Sequence, residues 1–287
     1  MKNLVVNLHL LEQCNYHCGH CFSHFGLSEP LHLSKWKKIA DNILGYPFVS
    51  RINLAGGEPL LLPWIQDFAE YIREKGIEVS IITNGSLLKE KFLKHCKISM
   101  VGISIDSFNE ETLIKMGRYT LNSKPLPEEQ VYRLCSLVKD NCIDLKINTV
   151  VTKLNLTDDF SPLINIAPKR WKILRMQPFE AGNFSNFHLG VTDEEYNSFC
   201  RKQEALGIPF VAENIMVNSY IFIDPAGCLI DNTGGIYTSA GNLLNEDFYE
   251  CFKRLPLNTE LYDFRYKESS FAKNQNIQEK KDEDNVY

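Results

Sequence analysis

Apolar positions follow two alternating rhythms from the start of the chain to about residue 210. Segments with every second position apolar, rich in β-branched residues, predict strands at Leu4–Leu11, Arg51–Ala55, Glu78–Thr83, Met100–Ile105, Asp144–Val151 and Trp171–Met176. Between them the spacing lengthens to that of helices: one starts near Ser34, one runs from Pro63 to Gly76, and one covers Glu128–Asn141. Proline suits a first helical turn, and glycine suits the left-handed residue beyond a last one. Six β-then-α repeats predict an α/β fold with a parallel sheet wrapped by helices. Pattern alone fits both a partial (β/α)6 barrel and an open doubly wound sheet. Beyond residue 210 the rhythm changes. Ser219–Asp224 reads as a strand with a turn at Pro225-Ala226-Gly227, and Lys267–Tyr287 reads as a mobile polar tail. Residues 1–210 are expected to form the core, and 211–287 a C-terminal extension.

One strand face is repeatedly polar. Side chains alternate across a strand, so Asn7 and His9 share a face while Leu4, Val6, Leu8 and Leu10 take the other. Arg51 and Asn53 repeat this in the second strand, Ser104 and Asp106 in the fourth, Lys146 and Asn148 in the fifth, and Lys172 in the sixth. In a half-exposed antiparallel sheet such a face meets solvent. In a helix-wrapped parallel sheet it points into the lumen, which is the arrangement expected here. A lumen of asparagine, lysine and arginine has room for a polar, anionic ligand.

Composition narrows the class. The 287 residues are 44% hydrophobic and 23% charged, ordinary for a globular protein of one large or two small domains. A net charge of −5 argues against a general nucleic-acid binder. Nine cysteines, an odd number, point to a reducing cytoplasmic interior rather than a disulfide framework. Asn7 and His9 interrupt the apolar run at the N-terminus and no cleavage site follows, so a signal peptide is not expected. No apolar stretch is long enough to cross a bilayer.

The run Cys14-Asn-Tyr-His-Cys18-Gly-His-Cys21 carries the strongest chemical signal. Three thiolates can hold three irons of a four-iron cluster and leave the fourth open to a ligand, whereas such clusters normally take four cysteines. A zinc knot with His17, His20 or His24 as fourth ligand competes with this, as do three unrelated buried thiols. Position helps to decide. The loop follows the first predicted strand, and Gly56-Gly57-Glu58-Pro59 follows the second. Asn84-Gly85-Ser86 follows the third, and Ser104-Ile-Asp106-Ser107 ends the fourth. Active sites of β/α barrels gather at that end. Each short segment alone is an ordinary turn. Four in order, each at a strand end, are of no use to a zinc knot.

C-x3-C-x2-C followed by this series resembles the radical S-adenosylmethionine (SAM) superfamily. A narrower resemblance, to viperin and its prokaryotic relatives, rests on Ala55-Gly-Gly-Glu-Pro59, Thr83-Asn-Gly-Ser-Leu87, Ser104-Ile-Asp-Ser-Phe108 and Met116-Gly-Arg118. Leu145-Lys-Ile-Asn148, Lys169-Arg-Trp-Lys172, Asp193-Glu-Glu-Tyr196 and Ser219-Tyr220 extend it across residues 5–224. The resemblance implies a partial (β/α)6 radical-SAM barrel with a C-terminal extension that closes on substrate. It implies a [4Fe-4S] cluster on Cys14, Cys18 and Cys21, with SAM held by Tyr16, Gly56, Gly57, Glu58, Asn84, Ser104, Asp106 and Arg118. Arg118 would face the SAM carboxylate. Asn7, Asn53, Lys146, Asn148, Arg170, Lys172 and Tyr220 would face a nucleoside triphosphate, with Tyr220 a further catalytic candidate. The implied reaction starts with a 5′-deoxyadenosyl radical that takes the ribose 4′ hydrogen. The 3′ hydroxyl then leaves as water, giving a chain-terminating antiviral nucleotide. CTP is the first choice of substrate, ahead of UTP and GTP. A flavodoxin-type or other low-potential electron donor and a monomeric chain are also expected.

The sequence departs from the family in three places. The vertebrate proteins carry a membrane-binding helix ahead of the barrel, whereas here the first strand begins by about Leu4. Arg175, followed by Met176 and Gln177, stands where relatives typically have glutamine. The chain ends in Asp-Asn-Val-Tyr287 rather than in tryptophan. Two rival functions are a peptide- or cofactor-maturing enzyme of the same superfamily and an idle nucleotide- or cluster-sensing protein.

Overall fold

Twelve strands account for the sheet structure of the computed structural model, which describes residues 3–26, 29–120, 124–181, 184–233 and 237–266. They are β1 (Leu4–His9), β2 (Val49–Ala55), β3 (Glu78–Thr83), β4 (Met100–Ser104), β5 (Asp144–Val151), β6 (Arg170–Arg175), β7 (Glu180–Ala181), β8 (Phe184–Ser185), β9 (Phe210–Glu213), β10 (Ile221–Ile223), β11 (Cys228–Asp231) and β12 (Thr238–Asn242). Strands β1 to β6 lie side by side in chain order, each parallel to the next. A doubly wound sheet reverses its order at a switch point; this one does not. Right-handed crossovers that all step the same way put the helices on one face. The other face becomes a lumen, and the fold is the partial β/α barrel.

The covered face is built from the apolar half of each strand. Val6, Leu8, Ile52 and Leu54 are fully buried against the apolar stripes of helices Leu33–Leu44 and Ile65–Glu74, notably Trp36, Ile39, Phe68 and Ile72. Each such side chain contributes roughly 1.5–3 kcal/mol relative to exposure. Helix Glu128–Asp140 lies where its periodicity places it. The helix expected from Pro63 begins at Ile65 instead, because Pro59–Leu61 forms a short 3-10 turn ahead of it. Gly76 takes the left-handed conformation beyond that helix, at φ +81°.

Several strand boundaries differ from the sequence reading: β2 starts at Val49 rather than Arg51, β4 ends at Ser104 rather than Ile105, and β6 spans Arg170–Arg175 rather than Trp171–Met176. Strand β1 stops at His9, although the Leu10 N–H still reaches the Ala55 carbonyl at 2.9 Å. The strand expected at Ser219–Asp224 is the shorter β10, and its hairpin to β11 turns at Gly227, φ +84°. Strand β9, too short to show a period, was missed. It adds in parallel to β6, and β10 adds in parallel to β1, so residues beyond 210 extend the sheet at both ends. The polar tail Lys267–Tyr287 lies outside the described residues. No described helix is long and apolar enough to cross a membrane.

Candidate active site

A cavity of about 730 Å³ opens over the C-terminal ends of the parallel strands, and Cys14, Cys18 and Cys21 all line it. Backbone contacts fix the cysteine loop. His17 and Gly19 donate N–H bonds to the Gly117 and Met116 carbonyls at 3.2 and 3.0 Å, while Gly57 and Glu58 donate to Leu11 and Gln13 at 2.7 and 3.0 Å. Two glycines make this approach possible. A Cβ on Gly57 would sit 2.1 Å from the Gln13 carbonyl oxygen, and one on Gly117, at φ +72°, 2.1 Å from that of His17. The GGE segment therefore shapes the loop, and its two glycines also line the cavity.

The thiols are set up for iron. The Tyr16 and Ser23 N–H groups each point at a sulfur, Cys14 Sγ and Cys21 Sγ, at 3.4 Å. Arg118 Nη1 lies 3.8 Å from Cys18 Sγ. Burial pushes Cys18 up to about 12 and Cys21 up to about 11, and raises Cys14 as well. A coordinating metal deprotonates a thiol outright, and the amides and guanidinium are then placed to stabilise the thiolates. The donor set fits a cluster held on three cysteines.

Beside it, the residues expected to hold SAM divide into two groups. Tyr16, Gly56, Gly57, Asn84, Ser104, Asp106 and Arg118 line the cavity. Glu58 lies behind it, fully buried. Its carboxylate accepts bonds from Leu60 N–H (3.0 Å), Thr83 Oγ1 (2.8 Å) and Asn84 N–H (2.8 Å). Burial raises its pKa in spite of those donors. Asp106 and Arg118 are already engaged with each other. Arg118 Nη1 sits 2.9 Å from Asp106 Oδ2, which also lies 3.3 Å from His20 Nε2, and Arg118 Nη2 donates to the Ser104 carbonyl at 2.7 Å. Burial opposes the Asp106 charge, but Arg118 and His20 outweigh it and hold the carboxyl down at about 2.

Deeper in the lumen the charges do not balance. Lys146 and Asn148 face the cavity from β5 and Lys172 from β6, with Asn148 in register beside Lys172. Arg170, in register beside Lys146, is buried just outside the cavity lining and donates to the Arg265 carbonyl. Among the described residues Lys146 makes no hydrogen bond or ion pair. Burial, with Lys172 and Arg170 adding, drives its pKa well below the ordinary lysine value. The Asn148 Oδ1 atom is buried without a hydrogen-bond partner. Lys172 pairs with the Glu213 carboxylate and donates to Tyr220 Oη at 3.1 Å. Burial pushes Lys172 down to about 7 against the pull of Glu213, with Arg170 and Arg265 pushing the same way.

Two side chains of this group were not read from the sequence. Glu213, fully buried on β9, accepts from Lys172, Arg265 and Tyr220. Burial raises it, but Lys172 and Arg265 prevail and hold it at about 2. Arg265, also fully buried, comes from helix Thr259–Tyr266. Alternation within Phe210–Glu213 was the one available signal for Glu213; nothing in the sequence singled out Arg265.

Asn7 and Asn53, expected at the nucleotide, are committed elsewhere. Asn7 donates to the Ile221 carbonyl at 2.9 Å and accepts from Asn53 at 2.8 Å, and Asn53 in turn accepts from Ser80. They form a rung across β1, β2 and β3, and of the two only Asn7 lines the cavity. Arg175 pairs with Asp193 and donates to the Val191 carbonyl. Gln177 donates from Nε2 to the Arg175 and Asn214 carbonyls at 3.3 and 3.4 Å.

The family model described as the radical SAM superfamily matches residues 9–162. A protein of Selenomonas ruminantium named S-adenosylmethionine-dependent nucleotide dehydratase is 36% identical over 270 residues, covering 91% of this chain and 98% of that one. One of the same name from Psychrobacter lutiphocae is 32% identical over 293 residues, covering 94% and 96%. Among solved structures, Streptococcus suis SuiB bound to S-adenosylmethionine superimposes with a TM-score of 0.67 at 17% identity, covering 94% of this chain and 70% of that one. Native anSMEcpe with bound AdoMet does so with a TM-score of 0.67 at 16% identity, covering 92% and 84%. At such identity these two speak for the fold alone.

Proposed function

Because the chain belongs to the radical SAM superfamily and, within it, to the viperin-like S-adenosylmethionine-dependent nucleotide dehydratases, we propose that it removes water from the ribose of a nucleoside triphosphate, CTP first. The superfamily works with a [4Fe-4S] cluster and SAM, which when bound would supply a 5′-deoxyadenosyl radical; in this chain that radical would take the ribose 4′ hydrogen atom. The 3′ hydroxyl then leaves as water with one electron and one proton, giving a 3′-deoxy-3′,4′-didehydro nucleotide that terminates RNA chains.

The protein's own part is binding and orientation. Cys14, Cys18 and Cys21 hold the cluster at the mouth of the lumen. Tyr16, the Gly56–Gly57 backbone, Asn84, Ser104 and the Asp106–Arg118 pair line the space for SAM, and Glu58 fixes its floor. Lys146 and Lys172 hold the phosphates, with Asn148 and Tyr220 beside them and Arg170, the third cation expected there, behind the cavity wall. The described part of the extension expected at 211–287 closes the substrate end of the 1–210 core through Glu213, Tyr220 and Arg265. A flavodoxin-type or other low-potential donor would supply the electron to a monomeric cytoplasmic protein.

One observation carries this reading: Lys146, without a partner among the described residues, and the Glu213-paired Lys172 share a cavity with the three thiols. Charge-assisted bonds to phosphate are the strong ones, so a triphosphate gains what a nucleoside cannot. Anaerobic turnover with CTP, UTP and GTP tests it, with 5′-deoxyadenosine and the dehydrated nucleotide as products. Reductive SAM cleavage that ignores all three nucleotides would refute it.

A further inference from the structure

We propose that His9 is a positioning residue that hydrogen-bonds a ribose hydroxyl of the bound nucleotide. His9 ends β1 on its lumen face, two residues above Asn7, and lines the cavity. It is only 7% exposed, yet its Nδ1 is buried with no hydrogen-bond partner. Leaving a buried polar atom unmade costs roughly 1–3 kcal/mol, and such an atom in a native structure calls for a reason. Asn7 shows the contrast: its amide is consumed by Asn53 and Ile221.

The imidazole is held in place by rings. Phe22, Phe25 and Phe222 have centroids 5.9, 5.5 and 5.5 Å from its own. Burial lowers its pKa to about 4, so it is neutral at physiological pH and offers one donor and one acceptor rather than a charge. A neutral ring suits a hydroxyl and not a phosphate. Lys146, Lys172 and the cysteine loop line the same cavity as His9, so a nucleotide held there by its phosphates brings its sugar into the space that His9 borders.

This inference rests on the nucleotide reading above, and the test keeps the two apart. Titration calorimetry of the reconstituted protein with SAM present gives dissociation constants for CTP, 2′-deoxy-CTP and 3′-deoxy-CTP without turnover. His9→Phe, which fills the aromatic cage, should weaken CTP binding about ten-fold, the equivalent of one hydrogen bond. One of the two deoxy analogues should bind wild type and His9→Phe alike, because the hydroxyl in question is missing. His9→Gln, which keeps a donor and an acceptor, should recover most of the loss and serves as the test variant if His9→Phe does not fold; it should then discriminate between the same analogues as wild type does. Unchanged CTP affinity in His9→Phe, an equal loss for all three nucleotides, or a loss confined to SAM binding would overturn the assignment. Failure of wild type to bind any nucleotide would instead overturn the proposed function.

Discussion

The two ends of the cavity handle charge in opposite ways. At the mouth, Arg118 and Asp106 neutralise each other and burial keeps the three thiols protonated until a metal arrives. At the base, Lys146, Arg170, Lys172 and Arg265 crowd around the carboxylate of Glu213. One end is matched within the protein; at the other, Lys146 has no counter-ion among the described residues and burial pushes it and Lys172 toward their neutral forms, which an entering anion would reverse. Desolvating a charge without a partner is expensive, so a fold keeps such a lysine only where an anion will enter. On the function proposed above, a cluster would complete the mouth and phosphates the base.

Breaking the mouth should have the largest effect. Cys18→Ala should abolish both cluster and turnover, whereas reconstituted wild type should carry about four irons per chain by iron analysis. Stoichiometric zinc with full activity in wild type would contradict the cluster assignment.

Removing charge from the base should come next. Lys146→Ala or Lys172→Met should raise the CTP dissociation constant about ten- to hundred-fold, taking about 1.5–3 kcal/mol for a charged hydrogen bond. Cluster content should stay unchanged, and CMP and cytidine should bind far more weakly than CTP to wild type. Calorimetric titrations that find cytidine binding as tightly as CTP would show that the base is not a phosphate site.

The counter-ion of the base gives a pH test with a defined sign. Glu213 falls from 4.5 to about 2 on folding, so its ionisation stabilises the fold above about pH 4.5 and that contribution is lost as pH falls toward 2. Glu213→Gln should therefore lower stability by about 3 kcal/mol at pH 7, since breaking a buried pair strands the remaining charges. The deficit should shrink when urea midpoints are compared at pH 7, 4 and 3. A constant deficit across that range would mean that the amide fails for reasons of packing, not charge.

The smallest effect belongs to a position outside both ends. Gly76→Ala, at φ +81° with open space around the added Cβ, should cost about 1 kcal/mol in thermal unfolding and leave cluster content and nucleotide binding unaltered.

Much of this was legible because it is local. A period of two fixes which side chains share a strand face, so the polar row of Asn7, Ser104, Lys146, Asn148 and Lys172 could be assigned to a lumen before any strand was placed. The C-x3-C-x2-C spacing and the turn residues after the first four strands likewise depend only on neighbours in the chain. Tertiary structure decided the rest. Strand order, and with it barrel over doubly wound sheet, depends on where each crossover lands. Whether Asn7 serves a ligand or Asn53, and whether Arg118 meets a free anion or Asp106, depends on partners tens of residues away. Glu213 and Arg265 reach Lys172 from 41 and 93 positions further along the chain. A sequence carries the repeat of each element, but pairing between distant side chains exists only once loop closure has brought them together.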